Sequence, residues 1–82
     1  MTVWVVLINH KYGTDVDVFK TEDEALAGLD AYVQQEWTDY CKDVAKPAEA
    51  SERIELYFHR AGEQSVPEYY ELSEKEVRGS AE

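Results

Sequence analysis

Few residues in this 82-residue chain have the types that do chemistry: His10, His59, Cys41 and the carboxylate pair Asp15 and Asp17. Asp15 and Asp17 stand two apart, so on an extended strand they point the same way, and with His10 just before the turn they sketch a partial donor set. The spacing matches neither an HExxH helix nor a Cys/His ligand pattern, and a usable metal site needs at least three converging ligands. His10 is instead expected to brace its own turn against Thr14 or Asp15. Cys41 and His59 have the types of a nucleophile and its base, yet they fall on separate predicted helices with nothing to bring thiol to imidazole. As the only cysteine, Cys41 can form no intramolecular disulfide and reads as a buried thiol in a reducing setting. No Gly-rich loop precedes a helix, so phosphate cradling has no support. The expectation is a protein that is not an enzyme, with no catalytic, cofactor-binding or metal residues.

Charge is the more informative property. The formal net charge is -10, which disfavours direct nucleic-acid binding because phosphates demand cations. The excess is unevenly placed. Residues 22–43 hold seven acids against Lys42, and residues 63–76 hold five against Lys75, so these two segments carry -6 and -4, the whole excess. Residues 1–21 and 44–62 are each neutral. Duplex DNA presents one charge per ~1.7 Å of axis, so an acidic protein approaches that density only where its carboxylates gather on one flank. The residues expected to meet a basic partner are Asp23, Asp30, Glu36, Asp39 and Asp43, with Glu71 and Glu74 assisting.

The elements that must position these groups follow from apolar periodicity. Six consecutive apolar residues, Val3 to Ile8, open a strand running to Asn9, rich in β-branched side chains and buried on much of both faces. His10-Lys11-Tyr12-Gly13 makes the turn. A three-residue loop with Gly13 in the left-handed position pairs Ile8 with Val16 and Val6 with Val18; a slip of one residue joins Leu7 to Val16 instead. Thr21-Glu22-Asp23-Glu24 is a capping box at a helix start, with three acids on the positive end of the helix dipole. Leu26, Leu29, Val33, Trp37 and Tyr40 recur at intervals of three or four and form the face that covers the sheet, while Asp23, Asp30, Gln34 and Glu36 take the other side. Gly28 and the Trp37–Tyr40 run weaken this helix, which is expected to break near Thr38 and resume through Val44.

Lys46-Pro47 interrupts the pattern, and a second helix is expected from about Ala48 to Arg60, burying Ile54, Tyr57, Phe58 and Ala61, with Arg53 and His59 on the wet side and Gly62 ending it. Val66-Pro67 opens a last extended segment, Glu68 to Val77, expected beside the first strand with Tyr70 and Leu72 on one face and Tyr69 and Glu71 on the other. The fold class is α+β, in the order β-β-α-α-β, with two helices on one face of a three-stranded antiparallel sheet. Residues 1–77 form a single domain and 78–82 a flexible tail. With 44% hydrophobic residues the chain is too apolar for the disordered class, and roughly 60% of its unfolded surface can be buried. Its longest apolar run is far short of the ~20 residues of a membrane span, and no signal-peptide pattern opens it, so a cytoplasmic location is expected.

The run Leu7-Ile8-Asn9-His10-Lys11-Tyr12-Gly13-Thr14-Asp15-Val16-Asp17-Val18-Phe19, followed by an acidic helix start and Tyr32-Val33 with Trp37, resembles small uncharacterised proteins of bacteria and their mobile elements that carry a His-Lys-x-Gly-Thr-Asp hairpin. In size and acidity the chain is also similar in type to phage-encoded anti-CRISPR proteins. That resemblance implies an inhibitor acting on a nucleic-acid-binding protein or CRISPR effector complex, by occlusion of its basic surface. The alternative expectation is a protein–protein interaction or oligomerisation module, with a homodimer formed through the Tyr69-Tyr70 strand edge.

Overall fold

An apolar strand such as Val3 to Ile8 must be shielded along both edges, and the chain supplies a neighbour on each side. The computed structural model describes residues 1–77. The first strand, β1 (Thr2–His10), is central; β2 (Gly13–Phe19) and β3 (Tyr69–Glu76) flank it, both antiparallel, in the order β2-β1-β3. Between β2 and β3 the chain forms α1 (Glu22–Gln35), the single-turn α2 (Trp37–Cys41) and α3 (Ala50–Ala61). The expected α+β architecture and strand–helix order are present, with α1 and α2 replacing one interrupted helix. The expected tail, 78–82, lies outside the described residues.

The hairpin takes the slipped register: Leu7 faces Val16, Val5 faces Val18, Ile8 faces Asp15 and Val6 faces Asp17. The Ile8–Val16 pairing is thus corrected by one residue. The tip closes over Lys11 and Tyr12, with His10 opposite Gly13, whose φ of 134° lies where glycine is favoured. Side-chain pairs fasten this register on both faces: Thr14 Oγ1 donates to Asn9 Oδ1 at 2.9 Å, and His10 meets Asp15 at 2.9 Å. Since strand side chains alternate, the one-residue difference sends Val16 and Val18 to the face away from the helices and brings Asp15 and Asp17 to the helix side.

α1 begins as the capping box predicts. Thr21 Oγ1 accepts the Glu24 amide at 3.1 Å, and the Glu24 carboxylate reaches back to the Lys20 amide at 3.2 Å. The helix ends at Gln35, three residues before the expected break near Thr38, and its continuation stops at Cys41, short of Val44. Pro47 stands before α3 rather than in its first turn, so that helix starts two residues later than expected. The core consists of Val6 and Ile8 from β1, Ala25, Leu29 and Val33 from α1, Trp37 and Cys41 from α2, and Ile54, Tyr57, Phe58 and Ala61 from α3. Each fully buried Leu or Val contributes about 1.5–3 kcal/mol by leaving water.

Gly28 has a packing reason to be glycine within a helix. A Cβ there would lie 2.6 Å from Cζ of Phe19, the last residue of β2, so the absent side chain lets α1 lie against the hairpin. Gly28→Ala is therefore expected to destabilise the protein by ~1 kcal/mol, because displacing the Phe19 ring outweighs the gain in helix propensity. In a Phe19→Leu background the same substitution should stabilise. Urea midpoints of the four variants check both signs.

Candidate functional site

The most heavily constrained polar group is one carboxylate, Glu68, at the entrance to β3. Glu68 is 2% exposed, although it follows Val66 and Pro67 in an exposed connection. Its amide donates to the Ala61 carbonyl at 3.2 Å, which fixes the start of β3 against the end of α3. Three tyrosine hydroxyls, one from each helix, then converge on the carboxylate. Tyr32 of α1 donates to Oε1 at 2.8 Å, Tyr57 of α3 to the same oxygen at 2.9 Å, and Tyr40 of α2 to Oε2 at 3.1 Å. Burial, and then the Glu68 carboxylate, hold the Tyr32 and Tyr57 hydroxyls protonated well above the ordinary tyrosine range. Tyr40 shifts in the same direction for the same reasons.

Beside Glu68 a cleft of about 320 Å³ opens between the hairpin tip and the end of α1, with His10, Tyr12, Tyr32 and Glu36 among its walls. The His10 ring stacks on Tyr32, with centroids 6.2 Å apart. Its Nδ1 accepts the Tyr12 amide at 3.1 Å, which leaves the ring proton on Nε2, donating to Asp15. Both nitrogens are thus engaged in holding the turn, the bracing role expected of His10. Lys11 lies 3.5 Å from Asp39 and 5.5 Å from the centroid of Tyr12; the Asp39 carboxylate raises its pKa. Glu36 titrates above the usual carboxylate range, first because it is partly desolvated and then because Asp39 stands beside it. Lys11 also lines the cleft, so carboxylates, ring faces and a cation of the chain's own already meet there.

The seven acids expected to meet a partner do not form one field. Asp30 is corrected from the wet side of α1 to its buried side, at 7% exposure, where Arg53 of α3 grips both oxygens at 2.8 Å and Gln34 donates at 2.7 Å. Arg53 accordingly holds the Asp30 carboxyl below the usual range. Arg53 also leaves the wet side expected for it, and donates further to the Pro47 and Ala48 carbonyls. Asp43 pairs with Arg60 at 2.6 Å and is lowered by it. Glu36 and Asp39 are brought together at the cleft. Asp23 is exposed in the first turn of α1. Glu74 lies opposite Trp4 on the helix side and Glu71 opposite Leu7 on the other, so these two acids occupy different faces.

The other chemically capable residues stay apart. Cys41 is fully buried, with its pKa raised by desolvation, whereas the His59 side chain is 71% exposed beside Glu63. Among the described residues no three His, Cys, Asp or Glu side chains converge as a metal-ligand set, and no helix is long and apolar enough to cross a membrane. The Glu68 cluster was not foreseen from sequence. Its one signal is the choice of Tyr over Phe at 32, 40 and 57 on apolar helix faces, since a buried hydroxyl demands a partner. Comparison of the chain with protein-family models, curated proteins and solved structures finds no match.

Two expectations follow from the cluster. Glu68→Leu should cost about 3 kcal/mol or more, since three hydroxyls lose their acceptor, and adding Tyr57→Phe and Tyr32→Phe should recover part of the loss. The second concerns alkaline pH. Tyr57 ionises near the ordinary tyrosine value of 10.0 in the unfolded chain but stays protonated above that in the folded one, so unfolding releases its proton and stability falls as pH rises past 10. Tyr57→Phe should remove one such dependence, up to ~1.4 kcal/mol per pH unit, as read from urea midpoints between pH 9 and 12.

Proposed function

We propose that this chain is a non-enzymatic acidic binding protein that blocks the basic, nucleic-acid-binding surface of another protein, of the kind carried by a host defence complex such as a CRISPR effector. The observation that carries this reading is the pairing of both arginines of α3, Arg53 in a buried ion pair and Arg60 in a partly exposed one. Arg53 is spent on Asp30 and Arg60 on Asp43, so residues 44–62, neutral by count, present Glu49, Glu52 and Glu55 to solvent. Glu22, Asp23 and Glu24 are exposed as well, in the first turn of α1. The contact surface we propose is α3 with the start of α1, in place of the full set of seven acids read from sequence.

Such a surface acts by long-range attraction and local competition. Carboxylates held on helices meet lysines and arginines that otherwise contact phosphates, and encounter is steered by the opposite net charges.

Reversal of the α3 N-cap acid and of the helix's two outward acids, Glu49→Lys, Glu52→Lys and Glu55→Lys together, leaves the core stripe untouched and should weaken partner capture roughly 100-fold, at about 1 kcal/mol per position. The assay is a pull-down from bacterial lysate at low and high salt, with far-UV circular dichroism checking the fold. Recovery of nucleic-acid-handling proteins that is lost in high salt and lost in the triple variant supports the reading. Recovery indifferent to both removes it.

A further inference from the structure

We propose that the sheet face turned away from the helices is an interface between two copies of this chain. On that face β1 places Val3, Val5 and Leu7, β2 places Val16 and Val18, and β3 places Tyr69. All three helices follow β2 and pack on the opposite side, where Val6 and Ile8 are buried. Val16 is therefore 56% exposed, Val18 62% and Tyr69 50%. An antiparallel sheet covered on one side normally alternates to polar residues on its wet side. Here five aliphatic residues stand where solvent should be met.

The charge of the face selects its occupant. Its other members on the paired strands are the uncharged Asn9, Thr14 and Ser73, together with Glu71 and Lys75, one of each sign. The face has no net charge, although the whole chain carries -10. A basic partner gains nothing there, whereas a second copy finds its own complement. Glu71 and Lys75 lie on β3 two residues either side of Ser73, which faces Val5, which in turn faces Val18. A twofold axis running across the strands along the Ser73–Val5–Val18 row lays Glu71 of each copy against Lys75 of the other and Leu7 against Val3. Such an isologous contact, with sheets ~10 Å apart, closes on itself as a dimer.

Three strands ~5 Å apart and ~26 Å long give a footprint of about 400 Å² per copy, the size of a weak, reversible dimer contact rather than a permanent one. Each copy also brings its full negative charge, so added salt screens their repulsion and strengthens the dimer. Capture of a basic partner responds to salt in the opposite sense. The two proposals therefore fail separately.

Sedimentation equilibrium of the full chain, over a concentration series at low and high salt, tests the interface. The expected result is a monomer–dimer equilibrium that tightens with salt. Val18→Lys, a change on an exposed edge-strand position, should weaken it at least tenfold with unchanged far-UV circular dichroism. Glu71→Lys and Lys75→Glu should each weaken it several-fold, and the doubly reversed chain should regain the original affinity. A chain that stays monomeric up to ~1 mM overturns the proposal. So does a dimer that survives Val18→Lys, which would place the contact on a strand edge, or a double reversal that restores nothing.

Discussion

One carboxylate with three hydroxyl partners is the constraint around which the helical layer is arranged. Glu68 accepts from Tyr32, Tyr57 and Tyr40, and so binds α1, α3 and α2 to the residue that launches β3. A dispersed apolar core would tolerate small slides of one helix over another. Hydrogen bonds aimed at two oxygens do not, because a displaced donor leaves a polar group without a partner in a poorly solvated place. The aromatic packing is organised by the same group. Tyr57 meets Phe58 edge to face at 5.0 Å, Phe58 stacks on Tyr32 at 6.2 Å, and Phe58 reaches Tyr70 of β3 at 4.8 Å. The polar cluster and the apolar contacts thus fix the same helix positions, and this domain can keep a thin core without losing a unique arrangement.

Pairing inside the molecule redraws the charge map. The acids of α1 and of the turn after α2 attract the arginines of α3 across the helix interface; the Asp30–Arg53 pair leaves the solvent, whereas Asp43 and Arg60 stay partly exposed and cancel each other's charge. The segment richest in acids by count is therefore partly neutralised, while the segment balanced by count turns its unpaired glutamates outward. Lys46 stays exposed, its ammonium 5.9 Å from the Trp37 ring centroid. What remains is a molecule of two unlike faces: a helical layer that presents carboxylates, and a sheet face that is apolar and uncharged overall. The first favours cationic partners and weakens with salt. The second favours an uncharged, complementary surface and gains from salt.

Much of the fold was legible in the sequence. The apolar run Val3–Ile8, the Thr21–Glu24 capping box and the Ile54, Tyr57, Phe58, Ala61 stripe fixed the strand, the helix start and the buried side of α3, because backbone hydrogen bonding and side-chain period act within a few residues. The bracing of the turn by His10 and Asp15, and the burial of Cys41, were readable on the same local grounds. The hairpin register was not: two pairings one residue apart both satisfy the turn and differ only in which face meets the helices.

Local chemistry in the sequence thus determined the element order, the central strand and the α+β class. Only the tertiary structure decided that Asp30 and Arg53 leave the solvent for each other, that Glu68 is an interior anchor rather than one more surface acid, and that Val16 and Val18 lie uncovered. Those outcomes depend on groups brought together from residues 11 to 36 positions apart, or on which side of a sheet a helix comes to rest. A charged residue reads the same along the chain whether it ends in water or beside an opposite charge. The distinction is made by desolvation and pairing, and these exist only once the layers have packed.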